Sequence, residues 1–216
     1  MEIEWYGLGC VRLTDRGLPA VVTDPFDESE VGLRLPRASA DIVACSQLMD
    51  DPFAAHWPGL RGVGRTIASP GEYEIAGVFV TGIASVRAQR RGSEKLENVI
   101  YIFSIAGVTV CHLGELGRPT TQAQVEAIGR VNALLLPVGI PGGLTASTAS
   151  ETISLIEPDI VIPIQYQVPG MKIDRKPVTG FLKEMGVTNP TPMPSLRITS
   201  DAASEEMQIV LLEPRN

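Results

Sequence analysis

Histidine is almost missing from this chain: His56 and His112 are the only two in 216 residues. Imidazole is the commonest side-chain ligand for transition metals, so any metal centre here has little of it to draw on. Cysteine is also scarce. Cys10, Cys45 and Cys111 are odd in number and widely spaced, which excludes a disulfide framework and fits reduced core thiols in a cytoplasmic protein. Positive charge is in deficit, with 18 Lys and Arg against 25 Asp and Glu and a net charge of −7. A phosphate backbone needs the opposite balance, so no nucleic-acid partner is expected. No apolar run approaches the roughly 20 residues of a membrane helix. The best, Ala133 to Ile140, is far shorter and contains Pro137, and no membrane association is expected. The opening Met1-Glu2-Ile3-Glu4-Trp5 is acidic and alternating, unlike a secretion signal.

What is present is enough for a core. Apolar residues make up 44% of the chain and charged residues 20%, which argues against disorder. The first half is cut by Gly and Pro into short, Val- and Ile-rich segments. Glu2 to Gly7, Cys10 to Thr14, Ala20 to Asp24, Asp41 to Cys45, Tyr73 to Ile83, Asn98 to Ile105 and Thr109 to Leu113 all read as strands. In the second half, Thr121 to Val131 places Ala123, Ala127, Ile128 and Val131 on one helical face. Thr148 to Glu151 reads as a capping box ahead of Thr152, Ile153 and Ile156. Val178, Phe181, Leu182 and Met185 follow Pro177 at helical spacing, and two apolar runs, Ala133 to Val138 and Ile160 to Ile164, lie between these helices. The pattern predicts a mixed α/β chain forming a single domain over residues 1–216, without linker or repeat.

Several stretches resemble the metallo-β-lactamase-fold superfamily, specifically its small bacterial members described as metal-dependent hydrolases. Gly7-Leu8-Gly9-Cys10 resembles a family hairpin that reads Gly-His-Ser-Cys. Val22-Thr23-Asp24-Pro25-Phe26, Ser69 to Ile75 with Val80 to Ile83, Cys111 to Gly117 and Ile160 to Tyr166 follow in collinear order. The resemblance implies a four-layer αββα sandwich with the site at one edge of two sheets.

It also implies a metal site, and the ligand positions can be carried over one by one. The family's His-x-His-x-Asp-His turn falls on Gln47 to Pro52. Its two leading histidines become Gln47 and Met49, its aspartate is Asp51 (with Asp50 adjacent), and its closing histidine is Pro52. The next histidine falls at Arg87, the bridging aspartate at Glu115 and the last histidine at Gln165. Gln is a weak neutral ligand and Met a soft thioether, while Pro and Arg do not ligate through their side chains. Neither His56, in a loop, nor His112, three residues before the bridging position, restores the set.

The expectation is a vestigial site of Gln47, Met49, Asp50, Asp51, Arg87, Glu115 and Gln165, with no catalytic residue and no cofactor. Its protein would be a pseudoenzyme serving as a binding or assembly module for a small molecule or a protein. Arg87, with its planar guanidinium, could stand in for the missing cation beside Glu115 or Asp51. It could equally belong to a solvated basic loop with Arg90, Arg91 and Lys95. The alternative is a metal-dependent hydrolase with one weakly held divalent cation, Mg2+ or Mn2+, on Asp50, Asp51 and Glu115. The resemblance further implies homo-oligomers through the sandwich faces or edges, although the sequence shows no interface beyond apolar residues such as Phe53 and Trp57.

Overall fold

The computed structural model describes residues 1–47, 57–87, 97–200 and 206–215. Met49, Asp50 and Asp51 lie outside these. In chain order the elements begin β1 (Glu2–Gly7), β2 (Cys10–Thr14), β3 (Val21–Thr23), α1 (Glu28–Val31), β4 (Ala38–Ser39), β5 (Ile42–Ala44), β6 (Leu60–Arg61) and β7 (Arg65–Ile67). They continue β8 (Gly71–Ile75), β9 (Val78–Val86), β10 (Glu97–Ile105), β11 (Val108–His112), α2 (Gln122–Ile128) and β12 (Ala133–Pro137). The last are α3 (Ala146–Ile156), β13 (Ile160–Ile164), α4 (Thr179–Glu184), β14 (Leu196–Arg197) and β15 (Gln208–Ile209).

Two sheets face each other. One has six strands in the order β14-β1-β2-β3-β5-β7, the other seven in the order β15-β13-β12-β11-β10-β9-β8. In the first sheet the side chains alternate between two cores, as the pleat requires. Ile3, Trp5, Val11, Leu13, Val21 and Ile42 point into the large core shared with the second sheet. Tyr6, Cys10, Val22, Val43 and Cys45 point the other way into a smaller core with Leu35, Leu60 and Trp57. Strands β12 and β13 are buried nearly throughout, which explains why they read as continuous apolar runs rather than alternating ones. Ile153, Ile156, Phe181 and Leu182 close that core from the helical side. Each such residue contributes about 1.5–3 kcal/mol by leaving water.

The result is the four-layer αββα sandwich, with one thin outer layer. Over the first sheet it consists of the four-residue α1, the small β4–β6 pair and the loops between them.

Three local readings are corrected. Tyr73 to Ile83 is not one strand but the hairpin β8–β9, turned at Ala76-Gly77 with φ values of 48° and 85°. Both central residues sit at positive φ, as a two-residue type I′ turn requires. Helix α3 starts a turn earlier than expected: Thr145 is its N-cap and Thr148 its reciprocal partner. Helix α2 buries Ile128, while Ala123 and Ala127 are exposed, because the helix touches the core only along a narrow stripe through Val125 and Ile128.

Candidate functional site

In both sheets several strands run parallel, β3-β5-β7 in one and β11-β12-β13 in the other. The carboxyl ends of such strands are where α/β sheets place ligand sites. Here Asp24 follows β3, Gln47 follows β5, Glu115 follows β11 and Gln165 follows β13.

Glu115 is held from its backbone. Its N–H donates to Asn98 Oδ1 at 2.9 Å, and Asn98 Nδ2 donates to Leu113 O at 3.0 Å and to Ser85 Oγ at 2.7 Å. Asn98 is fully buried, so this amide clamps the turn after β11 without competition from water. The turn passes through Gly114 at φ 63°, where a Cβ would lie 2.5 Å from Ser46 Cβ; only glycine fits.

The Glu115 side chain meets two guanidiniums. Arg87 Nε donates to Oε2, and Arg175 Nη2 donates to Oε1 at 3.1 Å. Arg87 stands just beyond β9, fixed by a bridge to Leu116. Arg175 comes from the loop after β13. Its Nε and Nη2 both donate to Gln165 Oε1 at 3.2 Å, and its Nη1 donates to Asp174 O at 3.0 Å. The side chains of Arg175 and Glu115 are each 8% exposed and that of Arg87 is 25% exposed. The structure therefore brings Arg87, Glu115 and Gln165 together, with Gln47 lining the same cleft, and adds Arg175.

A second buried polar cluster lies beneath. Asp24, at φ 37°, accepts from Ser46 N at 2.6 Å and Ser46 Oγ at 2.7 Å. Burial raises its carboxyl pKa above the ordinary range, and the Ser46 donors offset this in part. His112 Nδ1 accepts from Gly114 N at 3.0 Å, so Nε2 carries the proton and donates to Gly9 O at 2.9 Å. The same carbonyl accepts from Thr23 Oγ1 at 2.7 Å. His112 is thus a structural tie between β11 and the β1–β2 hairpin. Burial also pushes the Cys45 and Cys10 thiols far above their usual range, with Asp24 adding to the effect.

Leu8, Asp24 and Gln165 all adopt positive φ and all line one cavity of about 250 Å3. Strained non-glycine backbone of this kind costs about 1–3 kcal/mol per residue and persists only where the surroundings enforce it. Beside it opens a larger cleft of about 510 Å3, with Arg87, Glu115 and Arg175 in its wall. Among the described residues, no three His, Cys, Asp or Glu side chains converge as a metal centre requires.

The sequence does not single out Arg175 or Asp24 as a site residue. Asp174-Arg175-Lys176 carries no motif, and nothing local signals that its middle side chain is buried.

A two-sheet sandwich with its cleft at the carboxyl ends of the strands defines the metallo-β-lactamase architecture. The chain belongs to this superfamily: residues 2–165 match the family described as the β-lactamase superfamily domain. A metallo-β-lactamase superfamily protein from Thermotoga maritima is 30% identical and superposes with a TM-score of 0.76 over 98% of each chain. A metallo hydrolase from the archaeon Ignicoccus hospitalis shares the fold at 14% identity, with a TM-score of 0.61 over 92% of this chain and 99% of that one. The metallo-β-lactamase fold protein YhfI from Bacillus subtilis does so at 7% identity and TM-score 0.59, over 98% and 95%. No curated protein gives a significant match.

Proposed function

We propose that this protein is a metal-free member of the superfamily, a non-catalytic module whose cleft binds a small molecule or a partner protein. One observation carries the reading: each oxygen of Glu115 is already taken by a guanidinium. A carboxylate that bridges two metals must turn free oxygen lone pairs to both, through one oxygen or through each. With Arg87 and Arg175 in place, an incoming divalent cation would displace two hydrogen-bonded charges and meet two like charges at close range. Among the described residues, the other two positions carried over from the family's ligands fit zinc no better. Gln165 offers its oxygen to Arg175, and Gln47 is a neutral amide. The described residues do not fit the zinc pair implied by the fold, and no hydrolytic step is derived through one.

The second reading is a hydrolase with one divalent cation held by Asp50, Asp51 and Glu115. The Thermotoga relative favours it, because that protein is described as an inferred zinc-dependent hydrolase and matches over nearly the full length. Elemental analysis of the purified chain separates the two. The metal-free reading expects well under one zinc, manganese or iron per chain after dialysis, and no phosphodiesterase or esterase turnover with added metal. A stoichiometric transition metal overturns it.

A further inference from the structure

We propose that the cavity of about 250 Å3 beside the ends of β3 and β13 binds a small neutral carboxamide, seated by the side-chain amide of Gln165. The inference rests on the metal-free reading and names the ligand class of that site. Gln165 is 3% exposed, and its side chain is held in one orientation. Its backbone N–H donates to Leu8 O at 3.1 Å, and its Oε1 accepts from Nε and Nη2 of Arg175, each at 3.2 Å. Oxygen is thus the end turned to the guanidinium, and Nε2 points away from it. Among the described residues, Nε2 has no hydrogen-bond acceptor. A buried N–H donor without an acceptor is costly, so the position calls for an oxygen from outside the chain.

Gly9 leaves that donor and Asp24 uncovered side by side. A Cβ at Gly9 would lie 3.0 Å from Gln165 Nε2 and 2.8 Å from Asp24 Oδ2, and all three residues line the cavity. Asp24 Oδ2 accepts from Ser46 Oγ and keeps a lone pair for a second donor. A carboxamide answers both groups, its C=O accepting from Nε2 and its N–H donating to Oδ2. Charge argues against the alternatives. The described lining holds Asp24 and Glu115 and no cation, so a ligand carboxylate is repelled. An amidinium brings donors only and leaves Nε2 unanswered. Leu8, Pro25, Phe26, Cys45 and Trp57, with the exposed Gln47, form the remaining wall and give the ligand's body an apolar surface. A cavity of about 250 Å3 falls just below the range of drug-sized pockets, about 300–1,000 Å3, so the ligand is small.

The test is calorimetric titration of the full chain, after its metal content has been measured, with benzamide and isobutyramide. Benzoate, benzamidine and acetophenone serve as the anionic, cationic and N–H-free counterparts of benzamide, at nearly the same size. At least one amide is expected to bind, with benzoate and benzamidine each at least tenfold weaker than benzamide and acetophenone several-fold weaker. Gln165→Glu keeps an oxygen for Arg175 and removes both N–H donors. It should weaken benzamide tenfold or more and strengthen benzamidine, a reversal that mere loss of structure cannot mimic. The ligand series on the unaltered chain decides the matter even if that variant does not fold. No binding of either amide by metal-free protein, a counterpart that matches benzamide, or undiminished benzamide binding by Gln165→Glu overturns the carboxamide site and leaves the metal-free reading standing. A stoichiometric metal in the purified chain overturns both.

Discussion

Arg175 Nη2 reaches Glu115 Oε1 at 3.1 Å across 60 residues of chain, and both side chains are 8% exposed. Removing one partner of such a pair strands the other in low dielectric. Glu115→Ala is expected to cost about 2–4 kcal/mol in urea unfolding, since two guanidiniums lose their shared anion. A double-mutant cycle of Arg175→Met with Glu115→Gln should return a coupling above about 1 kcal/mol. Arg197 and Glu2 make a useful contrast: they pair at 3.6 Å with Arg197 83% exposed, and the same cycle there should give almost nothing. A null coupling at Glu115 would show that the buried contact does not hold in solution.

Asp24 should leave a signature in the pH dependence of stability. Its folded-state pKa is raised, chiefly by burial, above the unfolded value of about 3.9. Between those two values the folded chain keeps a proton that the unfolded chain releases. Stability contributed at this residue is therefore present at low pH and declines as pH rises through the raised pKa. Asp24→Asn, which keeps an oxygen to accept from Ser46 N, should flatten this decline in urea midpoints measured from pH 4 upward. Parallel curves for the two proteins would contradict it.

His112 is expected to matter for stability rather than chemistry. Its ring joins Gly9 O to Gly114 N, and it is 1% exposed. His112→Ala should cost about 2–4 kcal/mol, combining a cavity with the orphaned Gly114 N–H, while Gly9 O keeps Thr23 Oγ1. Unfolding by urea measures it, and a loss below about 1 kcal/mol would mean that this N–H finds another partner.

Gly139 tests how the loop bearing Arg175 is seated. A Cβ there would lie 2.5 Å from Tyr166 Cα, 2.6 Å from Gln165 O and 2.7 Å from Lys176 O, all backbone atoms unable to swing aside. Gly139 O also accepts from Lys176 N at 2.7 Å. Gly139→Ala should therefore cost about 1–3 kcal/mol or more and weaken Arg175's hold on Glu115. Denaturation of this variant in the Arg175→Met background should show a reduced loss if the two act together.

Strand positions are legible because apolar residues alternate with polar ones in β1 and β2 and run continuously in β5, β12 and β13. Ala76-Gly77 hid its turn inside an apolar run, although Ala106-Gly107 is the same dipeptide at the same positive φ. Thr145 is masked as an N-cap because Thr148 offers the same chemistry one turn later. At the site, the positions of Gln47, Arg87, Glu115 and Gln165 follow from the family resemblance, carried over onto the ends of their strands. Arg175 could not: its burial depends on Gly139 admitting a returning loop, and no local pattern encodes a contact 60 residues away.

The ions beside Glu115 are peptide-borne. A metal must be acquired after synthesis, competes with other metals and can be stripped by a chelator. Arg87 and Arg175 arrive with the ribosome's product and stay for its lifetime. On the metal-free reading, the neutralisation of Glu115 is thus indifferent to the supply of zinc or iron, and in place as soon as the chain has folded.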